Sequence, residues 1–111
     1  MTRLKLAVLA AFLALALLAP AQADARPPNG KYYCYYFKTS AVPPYVDTLI
    51  LKSKTKYKTI SGGKGKYKYR KKKIKFKSGP YKGWKGKYKK VKGDHVINVY
   101  NSRGYVMTCT K

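Results

Sequence analysis

Lys66-Tyr67-Lys68-Tyr69-Arg70-Lys71-Lys72-Lys73-Ile74-Lys75-Phe76-Lys77 alternates a cation with an aromatic or aliphatic residue on both sides of a Lys71-Lys72 tip. Apolar residues recurring every second position mark β-strands with one face toward a core and the other toward solvent. The stretch therefore predicts a hairpin, Gly65 to Arg70 and Lys73 to Lys77, whose outer face carries only positive charge. Lys87-Tyr88-Lys89 repeats the alternation in the next segment. From Lys52 to Lys92 there are nineteen Lys or Arg residues (eighteen Lys plus Arg70) and neither Asp nor Glu.

Outward from the hairpin the same reading continues in both directions. Upstream, Lys31 to Lys38 is rich in β-favouring aromatics, and Val46 to Lys52 places Leu49 and Leu51 inward with Ile50 opposite. Lys56 to Ile60 runs back, ended by Gly62-Gly63. Downstream come Trp84 to Val91, His95 to Tyr100 and Tyr105 to Thr110, separated by Lys92-Gly93-Asp94 and Asn101 to Gly104. About eight short strands with turn signals every eight to twelve residues predict an all-β fold, a small antiparallel barrel or sandwich. The interleaved Tyr, Ile and Phe argue for folding rather than disorder.

The start of the chain reads as an export signal over residues 1–25. Arg3 and Lys5 precede an uncharged run from Leu6 to Leu18, then Pro20 and two A-x-A sites, Ala21-Gln22-Ala23 and Ala23-Asp24-Ala25. Cleavage after Ala25 is preferred. The run is short for a membrane span, which needs about 20 residues, so no stable span is expected. Residues 26–111 then form one secreted or periplasmic basic domain, expected to be a monomer. Its charge is 24 − 2 = +22, with Asp47 and Asp94 as its acids. The two cysteines, Cys34 and Cys109, lie near its ends and are expected to form a disulfide, drawing the first and last strands together. Such a loop stabilises a small domain by about 4–5 kcal/mol.

Charge of this density points to a polyanion. Opposed lysines on neighbouring strands repel, and an anionic polymer laid over them relieves the repulsion and releases counter-ions. The expected binding residues are Lys66, Lys68, Arg70, Lys73, Lys75, Lys77, Lys85, Lys87 and Lys89. The competing reading is a solvated face that blunts strand edges and keeps a Tyr-rich sheet soluble. Lys is a mobile point charge, whereas Arg makes geometry-specific forks. A lysine face therefore selects charge density over sequence: an anionic glycopolymer, lipopolysaccharide or extracellular DNA, bound without sequence specificity. A structural protein with a merely solvated basic face is the bland alternative.

The aromatics divide into two groups. Tyr67, Tyr69 and Tyr88 alternate with lysine and should face the core with their hydroxyls at its rim. In the first strand Tyr33, Tyr35 and Phe37 share one face, and Tyr32, Cys34 and Tyr36 the other. Either that strand is covered on both sides, or Tyr33 and Tyr35 form a stacking platform, with Trp84 as a further candidate. Catalysis is not expected. One histidine and two aspartates in unconnected contexts offer no acid–base pair, no nucleophile elbow and no metal ligand set, and no cofactor is implied.

Tyr32-Tyr33-Cys34, Ser78-Gly79-Pro80-Tyr81 and Cys109 somewhat resemble small periplasmic lysozyme inhibitors of the C-type class. The resemblance implies a binding or inhibitory module for an extracellular protein, working through loops around Ser78 to Trp84. C-type lysozymes are themselves basic and would repel this domain, so an acidic protein partner suits that alternative better.

Overall fold

The structure, a computed structural model, describes residues 25–38 and 41–111. The expected export signal falls on residues 1–24 and Ala25, so all but its last residue lies outside the described residues. Among the described residues eight antiparallel strands run in chain order: β1 (Gly30–Tyr35), β2 (Tyr45–Leu51), β3 (Lys56–Thr59), β4 (Lys64–Arg70), β5 (Lys73–Phe76), β6 (Lys85–Val91), β7 (Asp94–Asn101) and β8 (Gly104–Thr110). Each pairs with the next, and β8 returns to β1, so the sheet closes into a barrel. Closure removes the exposed edges that would otherwise template aggregation.

An eight-stranded barrel is just wide enough for its interior to be filled by side chains. Here period two supplies that filling. Tyr32, Leu49, Leu51, Tyr57, Tyr67, Ile74, Phe76, Tyr88, Ile97, Val99 and Met107 point inward and are buried. Cys34 and Cys109 face each other across β1 and β8 and are joined, with Cα atoms 3.9 Å apart. The bridge sits on the closing seam, where it covalently fixes the pairing with the largest sequence separation in the sheet.

Both barrel ends are covered. At one, Ala25 to Asn29 crosses over: the Tyr32 hydroxyl donates to the Pro28 carbonyl (2.7 Å), the Tyr69 hydroxyl to that of Ala25 (3.0 Å), and the Arg26 guanidinium lies 5.0 Å from the Tyr69 ring centre. The Tyr67 hydroxyl reaches the Ser53 carbonyl at 2.6 Å, and that of Tyr88 meets His95 Nδ1 at 2.7 Å. These are the inward tyrosines with rim-seeking hydroxyls that the alternation predicts.

The other end is closed by the strap between β5 and β6. Its Ser78-Gly79 backbone presses onto β4 so closely that a Cβ on Gly65 would lie 2.1 Å from the Ser78 carbonyl oxygen. Glycine is required there because two backbones meet. Tyr81 drops from the strap into the aromatic cluster, stacked on Tyr57 (5.6 Å between centroids) and edge-on to Phe76 (5.3 Å). Its hydroxyl donates to Asp47 on β2 at 2.6 Å.

Asp47 is buried, and its carboxylate also accepts from the Ser61 hydroxyl (2.8 Å), the Ser61 amide (3.2 Å) and the Thr48 amide (2.8 Å). Burial pushes its carboxyl up, but the hydrogen bonds from Tyr81, Ser61 and Thr48 outweigh this and hold it below the usual carboxylate value. Burial, with Asp47 accepting from it, raises the Tyr81 phenol in turn.

One inference about the first strand is corrected. β1 ends at Tyr35 rather than running to Lys38. Tyr36 therefore does not share the inward face of Tyr32 and Cys34. It lies on the outside, stacked on Tyr105 at 5.6 Å. The chain turns away at Tyr36 to Lys38, and the Tyr36 amide bonds the Pro44 carbonyl at 3.0 Å, which ends the alternation.

Candidate functional site: a cationic barrel wall

The nine cations expected to bind a polyanion all lie exposed on the outer side of β4, β5 and β6 or the residue following β5. Their register sets like charges directly opposite one another. Lys68 pairs with Lys75 and Arg70 with Lys73; on the next ladder Lys73 pairs with Lys87 and Lys75 with Lys85. Lys77 runs beside Lys66, its amide bonded to the Lys66 carbonyl at 2.8 Å. Lys89 stands opposite Val96, at the margin of the array.

The wall extends further than those nine residues. On β3 and β4, Lys56 faces Lys66 and Lys58 faces Lys64. The Lys56-Tyr57-Lys58 alternation was a readable signal for that extension. The β4–β5 tip adds Lys71 and Lys72, both in the left-handed region with φ of 48° and 66°. A two-residue hairpin turn of this hand favours Asn-Gly, and a side chain with a Cβ is strained there.

Six directly opposed cation pairs thus occupy four strands. Each pair at 5 Å would repel by about 0.8 kcal/mol in water, less as the side chains splay and salt screens them. Neither acid of residues 25–111 stands opposite one of these cations. Asp47 is inside the barrel with neutral donors, and Asp94 sits at the β6–β7 turn.

Two shallow grooves mark the wall. One, of about 570 Å³, lies over β4 to β6 between Lys68, Lys75, Lys85 and Lys87, with Tyr100 of β7 at its far edge. The other, of about 610 Å³, lies over β3 and β4 beside Lys56, Lys64 and Lys66. Tyr100 was missed by sequence reasoning, which read the Lys92-Gly93-Asp94 turn but did not carry the register down that hairpin to Tyr100 opposite Lys85. Its ring has the Lys87 ammonium 5.4 Å from its centre.

The candidate stacking residues fall elsewhere. Tyr33 and Tyr35 point outward from β1, with Tyr33 about half exposed at 48%. Tyr35 packs edge-on against Tyr45 at 5.8 Å. Together they form an uncharged aromatic patch on the outer face of β1, outside the lysine strands. Trp84 is half-buried and lies parallel to Tyr81 at 4.9 Å, so one face of its ring is already occupied in holding the strap.

Among the described residues no three His, Cys, Asp or Glu side chains gather as metal ligands, and no helix is long and apolar enough to cross a membrane. Fold and site together define a closed eight-stranded antiparallel barrel with one cationic wall. No protein-family model, curated protein or solved structure matches the chain. The likeness to lysozyme inhibitors therefore stands on its three short segments alone.

Proposed function

We propose that this protein is an exported, non-enzymatic binder of anionic polymers, working through the outer wall of β3 to β6. The observation that carries the reading is the stacking of six like-charge pairs on one half of the barrel while its few acids lie elsewhere. A surface built for solubility interleaves both signs. This one accepts repulsion at every rung, and at the hairpin tip it keeps Lys71 and Lys72 in a backbone conformation that asparagine and glycine would adopt at lower cost. Electrostatic cost and conformational cost fall on the same strands, which is the pattern of a surface retained for its charge. Bound anions would lower the repulsion and release counter-ions, so binding and fold stability are coupled.

The test is retention on heparin, teichoic acid, lipopolysaccharide and DNA as a function of salt. A polyanion binder gives a log Kd that climbs steeply and linearly with log salt. Replacing Lys66, Lys68, Lys75 and Lys77 by Gln should lower that slope by roughly three, at somewhat under one per contact removed, with the fold intact. Capture of a single protein that persists at high salt and is abolished by Trp84→Ala would overturn the reading in favour of a protein-binding module.

A further inference from the structure

Around the barrel, the register converts the cationic wall into something more selective than a field of charge. Following the ladder from Lys68 leads to Lys75, then Lys85, then Tyr100 and Tyr105. The adjacent rung runs Arg70, Lys73, Lys87, Asn98, Thr108. Three cations on each rung are thus followed without interruption by a ring or by neutral hydrogen-bonding groups. These neutral groups are already linked to one another: the Thr108 hydroxyl donates to the Asn98 side-chain oxygen at 2.7 Å and shares a 2.9 Å bond with the Tyr105 hydroxyl. The groove over β4 to β6 opens along this direction and ends at Tyr100.

We infer that the groove binds an acidic polysaccharide, one anionic group per sugar ring, lying across the strands with a ring on Tyr100. The inference rests on the polyanion reading and gives it a ligand class. Across a rung the cations recur at the strand spacing of about 4.8 Å, whereas along a strand they recur about 6.8 Å apart, at every second residue. The shorter step is close to the length of one pyranose in a polymer; the phosphate-to-phosphate repeat of an extended nucleic-acid strand is longer. A sugar ring also has the two surfaces this site offers partners for. Its C–H face packs on the Tyr100 ring, and its hydroxyls meet the Asn98 side-chain amide, which the Thr108 hydroxyl holds in place through the Asn98 oxygen. Single-stranded nucleic acid, by contrast, is held on platforms that stack successive bases, and this groove has one aromatic ring at its edge.

The experiment measures Kd of the protein for oligouronates of two to ten rings, for linear polyphosphate of matched charge and for a single-stranded oligodeoxynucleotide. Oligouronate affinity should rise up to about four rings, the Lys68–Lys75–Lys85–Tyr100 span, and then flatten to the gentle gain expected from added binding frames. Tyr100→Leu should weaken the four-ring oligouronate roughly fivefold or more and polyphosphate less than twofold, the latter also reporting that the variant is folded. Tyr100→Phe, which keeps the ring, should retain most of the wild-type affinity. Polyphosphate and oligouronate climbing together with length in the wild type would overturn the glycan inference while leaving polyanion binding in place. So would a Tyr100→Leu defect confined to the oligodeoxynucleotide. Failure of all three ligands to bind at low salt would remove the polyanion reading itself.

Discussion

The two halves of the barrel solve the same interior problem with opposite exteriors. β7, β8, β1 and β2 carry Asn98, Thr108, Thr110, Tyr33 and Tyr35 on their outer faces, with Lys31 the one exposed cation of β1, and the residues facing one another include Asn98 with Thr108, Tyr35 with Thr108 and Tyr33 with Thr110. β3 to β6 point lysine outward at nearly every position and oppose it with more cation. Inside, both halves contribute alternate buried apolar residues to one core. The neutral half shows what this fold uses where only folding is asked of the outer face: β-branched and aromatic residues that favour strands. Lysine is depleted in strands generally, so the charged half departs from the sheet's own preference. Seen beside its counterpart, the lysine wall is a feature the fold carries rather than one it requires.

The sharpest way to break the comparison is at the latch between the halves. Asp47 belongs to β2 of the neutral half, and Tyr81 to the strap that leads into β6 of the charged half. Asp47→Asn replaces a charge-assisted acceptor with an amide that cannot satisfy all four donors, and should cost about 2–3 kcal/mol in chemical denaturation. The pH dependence follows from the lowered carboxyl. Its contribution is fully present above the unfolded value of about 4 and is lost as pH falls through the lower folded value. The wild type should therefore lose stability in acid, and Asp47→Asn should lose less over the same range. Equal acid slopes in the two proteins would exclude the latch.

Next in size is the hairpin tip. Lys71→Asn with Lys72→Gly should raise stability by about 1–2 kcal/mol, since it relieves two left-handed residues and two charges at once. The same change should weaken polyanion binding. If it stabilises nothing, the tip is not strained and the argument from conformational cost fails there.

Smallest is the direct measure of repulsion. Raising ionic strength from about 0.01 M to 0.15 M shortens the screening length from about 30 to 8 Å and should raise thermal stability by about 1 kcal/mol. Replacing Lys68 and Lys75 by Gln should remove part of that salt response. Substituting Thr110 and Asn98 by Gln on the neutral half should leave it unchanged.

How far the site was legible depends on the distance over which each feature is decided. Lys66 to Lys77 announced their hairpin because alternation is a property of neighbours, and the outward direction of every lysine followed from the inward direction of Tyr67, Tyr69, Ile74 and Phe76. The disulfide was legible because two cysteines leave one pairing. The inward turn of Tyr81, by contrast, depends on a carboxylate 34 residues away, and Asp47 read alone gives no sign of a latch. Tyr36 went outside because the chain bends after Tyr35, a choice made by the Pro44 carbonyl. Tyr100 joined the groove because the β6–β7 hairpin sets it opposite Lys85, while Lys85 meets Lys75 only across the long strap between β5 and β6.

By itself, then, the order of residues determined the strands, which face of each is greasy and which is charged, and the pair of thiols that would meet. Those are consequences of period-two geometry and of composition, acting within a few residues. Whether the sheet closed, and that the cations of β4 and β5 would line up across the strap with Lys85 of β6 and, beyond it, Tyr100 of β7, were decided only when the barrel formed. Within the tight hairpins register follows from turn length and the alternating pattern, but β5 meets β6 across the long strap and β8 meets β1 across most of the chain, and no local pattern carries the register of those two pairings.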